Sequence, residues 1–70
     1  MDNISKLYKA VNILKANVEF SYSGDDINSQ EDFNKIIWNT GVENGQAVQT
    51  TTNPHSELTW TKVKAEMDKL

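Results

Sequence analysis

The feature that most constrains this chain is the segment from Phe33 to Gly41. It holds the only three consecutive apolar residues of the sequence, Ile36, Ile37 and Trp38. Polar residues flank these three, and a glycine closes the segment. A short apolar run with such boundaries is typical of a buried strand. The segment therefore predicts a central strand on which the rest of a small domain packs.

Length and composition restrict how such a domain can be stabilised. Seventy residues predict a single domain, and a domain of this size buries only about 60% of the surface that its unfolded chain exposes. The sequence contains no cysteine, so neither a disulfide nor a thiolate metal site can compensate. With 37% hydrophobic and 24% charged residues, the composition is globular rather than disordered. Tight packing or association with a partner must supply the stability.

The charge pattern argues against a nucleic-acid partner. The net charge is −3, and all seven basic residues are lysine. Arginine supplies most bidentate contacts to phosphate and guanine, so we expect no binding to nucleic acid. No apolar run approaches the ~20 residues of a membrane span, and the first residues lack the basic and apolar regions of a signal peptide. We therefore expect neither a membrane partner nor secretion by a signal peptide.

The N-terminal segment has the apolar spacing of an amphipathic helix. It runs from about Asn3 to Ala16, with Asp2 or Asn3 as its cap and Asn17 as a left-handed terminator. Ile13 falls on the polar side of this helix. A single exposed isoleucine is common in soluble proteins, and a contact with a partner is the alternative interpretation.

The C-terminal segment predicts a second amphipathic helix. Thr59 can cap it, and Leu58 and Val63 stand at the two positions of a hydrophobic staple. A polar linker precedes this helix. Its narrow apolar face is expected to pack on the same side of the sheet as the first helix.

Two further segments predict strands beside the central one. Val18 to Tyr22 alternates apolar and polar residues, which indicates a half-buried strand antiparallel to the central strand. Asn44-Gly45 is typical of a type I′ turn. A register centred on this turn pairs Val42 with Ala47 and Thr40 with Gln49. The segment from Gln46 to Thr50 is then either a third strand or a solvated loop.

The strongest indication of a partner lies on the predicted central strand. Ile36 and Trp38 share one face of a pleated strand, and Ile37 lies on the other face. If both helices cover the Trp38 face, Ile37 is either covered with the help of Phe33 and Val42 or left to contact another chain. Ile37, Phe33 and Ile13 are therefore the candidate contacts to a protein partner, which is either a second copy or another protein.

The remaining polar clusters do not predict a catalytic or metal site. The acidic run from Asp25 to Asp32 resembles a calcium loop, but Glu31 replaces the required glycine and Ile37 replaces the bidentate glutamate. His55 is the only histidine, and no spacing brings it a nucleophile or an acid. We expect no catalytic residue, metal or cofactor, and a core role for Trp38 and Trp60.

The order of short motifs resembles a known group of proteins. A Phe-Ser-Tyr strand at 20–22 precedes an Asp-Asp-Ile-Asn turn at 25–28, an Ile-Ile-Trp strand that closes on Gly41, and a Thr-capped helix. This pattern is similar to that of small proteins of tailed bacteriophages, including marine cyanophages, often encoded near tail or tail-fibre genes. Leu58 stands where a proline is expected, and Gln30–Asn34 and Asn44-Gly45 look like insertions. The resemblance implies no enzyme, and a location in the host cytoplasm or the virion.

Together these features predict an α+β fold with two terminal helices on one face of a small antiparallel sheet of two or three strands. The predicted core consists of Ile4, Leu7, Val11, Leu14, Val18, Phe20, Tyr22, Ile36, Trp38, Leu58, Trp60, Val63, Met67 and Leu70. The leading hypothesis is a non-catalytic interaction or structural module, such as a phage virion or tail accessory protein, that binds through an exposed sheet face. The alternative is a phage-encoded inhibitor of a host protein that acts through its acidic loop, with Asp25 and Asp26 meeting a basic surface.

Overall fold

The chain folds as predicted into an α+β domain. A computed structural model describes all 70 residues. The elements in chain order are α1 (Asn3–Leu14), β1 (Phe20–Ser21), α2 (Gln30–Phe33), β2 (Ile37–Glu43), β3 (Gln46–Thr50) and α3 (Trp60–Met67). The strands form one antiparallel sheet in the order β1-β2-β3. The two terminal helices pack against each other and on one face of this sheet.

Side-chain caps begin both terminal helices where the sequence predicts them. The Asp2 carboxylate accepts a hydrogen bond from the Ser5 N–H at 2.8 Å, and the Thr59 hydroxyl accepts one from the Lys62 N–H at 3.2 Å. Each cap satisfies a backbone donor that has no partner within its helix. α1 ends two residues earlier than predicted because the backbone becomes extended at Lys15. Asn17 then takes the predicted left-handed conformation, with φ 64°.

The third strand forms, and its turn has the predicted geometry. Asn44 and Gly45 have φ values of 52° and 76°, as a type I′ turn requires. Val42 lies opposite Ala47 as predicted, but Thr40 does not lie opposite Gln49. A β-bulge at Thr40 shifts the register, so that Asn39 rather than Thr40 lies opposite Gln49. The bulge arises beyond the turn, where turn chemistry no longer sets the register.

Two predicted strand boundaries are wrong. The first strand contains only Phe20 and Ser21 rather than Val18 to Tyr22. The central strand begins at Ile37, because the chain before it forms the short helix α2, which ends at Phe33. The Ser29 hydroxyl caps α2, and the Phe33 N–H bonds back to the Ser29 carbonyl at 3.0 Å. The residues before Ile37 form this helical turn instead of extending β2 toward the N-terminus.

Ten residues form the buried core. Seven of them were predicted, and six other predicted residues pack half-buried against the core. Leu70 was predicted wrongly: it is 43% exposed, because α3 ends at Met67. Ala10, Ile27 and Phe33 are core residues that were not predicted. The buried set is Leu7, Ala10, Val11, Ile27, Phe33, Ile36, Trp38, Leu58, Val63 and Met67.

Candidate functional site

The hairpin of β2 and β3 extends beyond the core. Every residue from Thr40 to Gln49 is exposed, and Val42 is 76% exposed. We call these ten residues the arm. The molecule is elongated, with extents of 39 × 23 × 20 Å. The arm therefore presents both its faces and its strand edges to the surroundings.

The outer edge of β3 has no neighbouring strand along its whole length. In an antiparallel ladder, alternate residues direct their N–H and C=O groups away from the paired strand. Glu43 and Gln46 flank the two-residue turn as a bonded pair. Gln46 directs its N–H and C=O groups to β2, and the direction alternates along the strand. Ala47 and Gln49 therefore direct their backbone groups to the open edge. These donors and acceptors are arranged to receive another strand.

The composition of this edge leaves it open to pairing. Natural edge strands are commonly protected by lysine, proline or a bulge. β3 carries none of these features: its five residues are uncharged, none is proline, and the bulge lies on β2. The single charge on the arm is Glu43, which also belongs to β2. The edge is thus chemically neutral and sterically accessible.

The three apolar residues predicted to contact a partner have different environments. Phe33 is only 5% exposed, and its ring lies 6.1 Å from that of Trp38 between centroids. The prediction that Phe33 belongs to an uncovered sheet face is therefore wrong. Ile37 is half-buried opposite Ser21. Ile13 is 57% exposed on α1. A partner contact by Ile37 or Ile13 stays a prediction.

The acidic loop is a folded connection. Asp25 and Asp26 are exposed, but the Asp26 carboxylate accepts hydrogen bonds from the Asn3 side chain at 2.9 Å and from the Ile27 N–H at 2.8 Å. Ile27 itself is fully buried and anchors the loop. The Tyr22 hydroxyl donates to the Asp26 carbonyl at 2.7 Å. Desolvation, followed by the nearby carboxylates of this loop, raises the pKa of Tyr22.

A groove of about 460 Å³ lies where β3 leads into the polar linker. Four aromatic rings form a continuous series beneath it. The centroid distances are 5.8 Å for Trp60 and Phe33, 6.1 Å for Phe33 and Trp38, and 5.6 Å for Trp38 and His55. Trp60 and His55 are half-buried and supply ring surface, whereas the two rings between them are buried. We call this packed series of four rings the floor of the groove.

The rest of the groove carries amides and hydroxyls but no lysine, arginine, aspartate or glutamate. Asn53 fixes the shape of the linker: its amide nitrogen donates to the Leu58 carbonyl at 2.6 Å, and its oxygen accepts from the His55 N–H at 2.8 Å. The full lining is Gln30, Phe33, Asn34, Trp38, Thr51, Thr52, Asn53, His55, Ser56, Leu58, Thr59 and Trp60. The periodicity of the sequence does not indicate this groove, because its residues come from three stretches of the chain: 30–34, Trp38 and 51–60.

The structure contains no group of three or more histidine, aspartate or glutamate side chains placed to hold a metal ion. None of its helices combines the length and apolar character needed to cross a membrane. No protein-family model, curated protein or solved structure matches the chain.

Proposed function

We propose that this protein is a non-catalytic interaction module that joins protein chains by strand addition at the open edge of β3. The observation that carries the proposal is the unprotected edge of the arm. In strand addition, main-chain hydrogen bonds extend an existing sheet with a strand from another chain. The sequence favours binding through a sheet face around Ile37, and this proposal uses the edge of the arm instead.

The partner strand that fits this edge is β3 of a second copy. A two-fold axis at Val48 places Ala47 of one copy opposite Gln49 of the other, so that the outward backbone groups of both residues pair. Val48 then faces its own counterpart. No two like charges meet across the edge, since β3 has no charged residue. The net charge of −3 therefore opposes this pairing only from a distance, where salt screens it.

A proline placed at Ala47 tests the proposal. Proline has no N–H, but it is tolerated in an edge strand where the N–H faces solvent. We expect the wild-type protein to show a molar mass that rises with concentration in light scattering, and Ala47→Pro to remain monomeric and folded. Ala47→Thr is the matched control: it retains the N–H and should still associate.

Amide NMR shifts identify the surface that associates. The shifts of Ala47 and Gln49 should change with protein concentration more than those of the exposed face of α1. A wild-type chain that stays monomeric at all concentrations, with constant shifts in β3, would overturn the proposed pairing. Association that persists in Ala47→Pro would place the contact elsewhere.

The sequence resemblance extends this proposal to an accessory subunit of a tailed-phage particle. A neutral edge that joins copies suits a subunit that is incorporated in several copies. Mass spectrometry of purified particles tests this extension directly, because a virion subunit copurifies with the particle whereas a modulator of a host protein does not.

A further inference from the structure

We propose that the groove beside the linker is a binding site for an uncharged carbohydrate. This inference is independent of the proposed role of β3. It rests on three properties of the groove: an aromatic floor, a rim of amides and hydroxyls, and the absence of charged carboxylate, ammonium and guanidinium groups. Its volume of about 460 Å³ lies within the ~300–1,000 Å³ range of small-molecule sites.

The floor suits the apolar face of a sugar ring. The face of an aromatic ring is electronegative, and the C–H groups on one side of a pyranose carry a partial positive charge. Trp60 is the first residue of α3, and its ring is half-buried against Phe33 at a 43° interplanar angle. This packing fixes the indole while leaving part of it open to the groove. His55 is held in the same way, edge-on to Trp38 at 68°.

The rim suits hydroxyl groups, which both donate and accept hydrogen bonds. Amide and hydroxyl side chains also do both. The Gln30 amide nitrogen donates to the Asn34 oxygen at 2.8 Å, which leaves the Gln30 oxygen and the Asn34 nitrogen available. Thr51 and Ser56 are exposed, and their hydroxyls are not used in the hydrogen bonds that hold the linker.

The absence of lysine and arginine from the lining selects against anionic ligands. A phosphate, sulfate or carboxylate entering the groove would lose water without gaining an ammonium or guanidinium partner, and this desolvation is costly. Nucleotides and acidic polysaccharides are therefore poor ligands. An uncharged oligosaccharide loses only hydroxyl–water bonds, which the rim can replace.

Titration with three neutral oligosaccharides, maltohexaose, cellohexaose and chitotetraose, tests the site. Tryptophan fluorescence reports on it, because both tryptophans of the chain line the groove. We expect saturable binding of at least one of the three. We expect no saturable binding of a heparin hexasaccharide, which is sulfated. If none of the neutral sugars binds, or if the sulfated sugar binds more tightly, the proposal is wrong.

Variants of groove residues test whether the sugar binds in the groove or elsewhere on the surface. Trp60→Ala should weaken binding by about tenfold or more, the scale of one lost aromatic contact. Because Trp60 also packs on the core, Thr51→Val and Ser56→Ala provide a second test in which the fold is retained. Each should weaken binding by about two- to tenfold, the scale of one hydrogen bond.

The matched control for the lost hydroxyl is Thr61→Val, which changes an exposed threonine outside the groove. Binding in this variant should equal that of the wild type. Ala47→Pro should also leave sugar binding unchanged, so a failure of strand addition can be distinguished from a failure of the groove. Equal losses in Thr51→Val and Thr61→Val would overturn the proposed site.

Discussion

At the scale of single residues, two isoleucines with similar sequence surroundings have opposite roles. Ile13 is 57% exposed, whereas Ile27 is completely buried. The helical spacing of the sequence already places Ile13 on the polar side of α1, whereas only the folded chain shows that Ile27 is buried. Ile27 lies within the acidic loop, so its burial holds this loop against the core.

Truncation of the two isoleucines should therefore have unequal effects on stability. Ile27→Ala should lower the free energy of unfolding by about 2–5 kcal/mol, because it removes buried methyl groups and leaves a cavity. Ile13→Ala, the matched control, should change it by less than about 0.5 kcal/mol. Urea unfolding followed by circular dichroism measures both. Equal losses would contradict the burial of Ile27.

At the scale of secondary-structure elements, the terminal helices and the arm differ in how they are held. α1 and α3 pack on each other and supply half of the buried core residues: Leu7, Ala10, Val11, Val63 and Met67. The arm has no buried residue from Thr40 to Gln49. Its stability rests on its turn and its cross-strand hydrogen bonds alone. Opening of the arm should thus be possible without unfolding of the helices.

Hydrogen exchange should reveal this difference between elements. Backbone amides of the arm should exchange faster than those of Leu7 to Val11, because they open locally rather than through global unfolding. Measurement by NMR at low protein concentration avoids protection by a second copy. Equal protection in both regions would show that the arm unfolds only together with the core.

The N-terminal cap of α3 gives a further prediction at the scale of elements. Thr59→Ala should lower the free energy of unfolding by about 1 kcal/mol, because the Lys62 N–H loses its hydrogen-bond acceptor. Thr61→Ala is the control within the same helix, since its hydroxyl caps nothing. Thermal or urea unfolding compares the two variants, and a larger loss in Thr61→Ala would contradict the role of the cap.

At the scale of the whole molecule, the arm makes the shape less compact. The radius of gyration is 12.0 Å, compared with about 11 Å for an average compact domain of this length. A small core and an extended arm leave only a narrow margin of stability. Two surface carboxylates that accept hydrogen bonds, Asp2 and Glu57, make this stability depend on pH.

Acid should destabilise the folded protein. The Ser5 backbone N–H, followed by the Ser5 side chain, lowers the pKa of Asp2 below its ordinary value of 3.8. The backbone N–H of Glu57, followed by Lys15, lowers the pKa of Glu57 below 4.5. A lowered folded-state pKa stabilises the protein above the unfolded-state value, and this stabilisation disappears as the pH falls through the folded-state value. The urea midpoint should therefore decrease below the ordinary values of these two groups.

Asp2→Asn tests the acid response. Asparagine also caps helices, but it does not titrate, so the decrease in the urea midpoint with falling pH should be smaller than in the wild type. Asp2→Ala is the comparison, because it loses the cap at every pH. An unchanged acid response in Asp2→Asn would show that the Asp2 cap does not contribute to it.

The sequence by itself determined the features that depend on neighbours along the chain. The Thr59 cap, a cap at Asp2 or Asn3, the left-handed Asn17 and the Asn44-Gly45 turn all follow from local backbone geometry and hydrogen bonding. The α+β class follows because the spacing of apolar residues in the sequence indicates which side of each helix or strand is buried. For the same reason most core residues of α1 and α3 could be predicted.

Only the tertiary structure decided the features that depend on contacts between distant segments. Phe33 and Ile27 are buried because α2 and the acidic loop fold onto the core, and no local pattern marks this. The bulge at Thr40, the two-residue length of β1 and the exposure of the arm depend on how three strands match one another. The groove likewise joins three stretches of the chain. These features carry both proposed functions, because binding surfaces form where separate segments meet or where a strand is left without a neighbour.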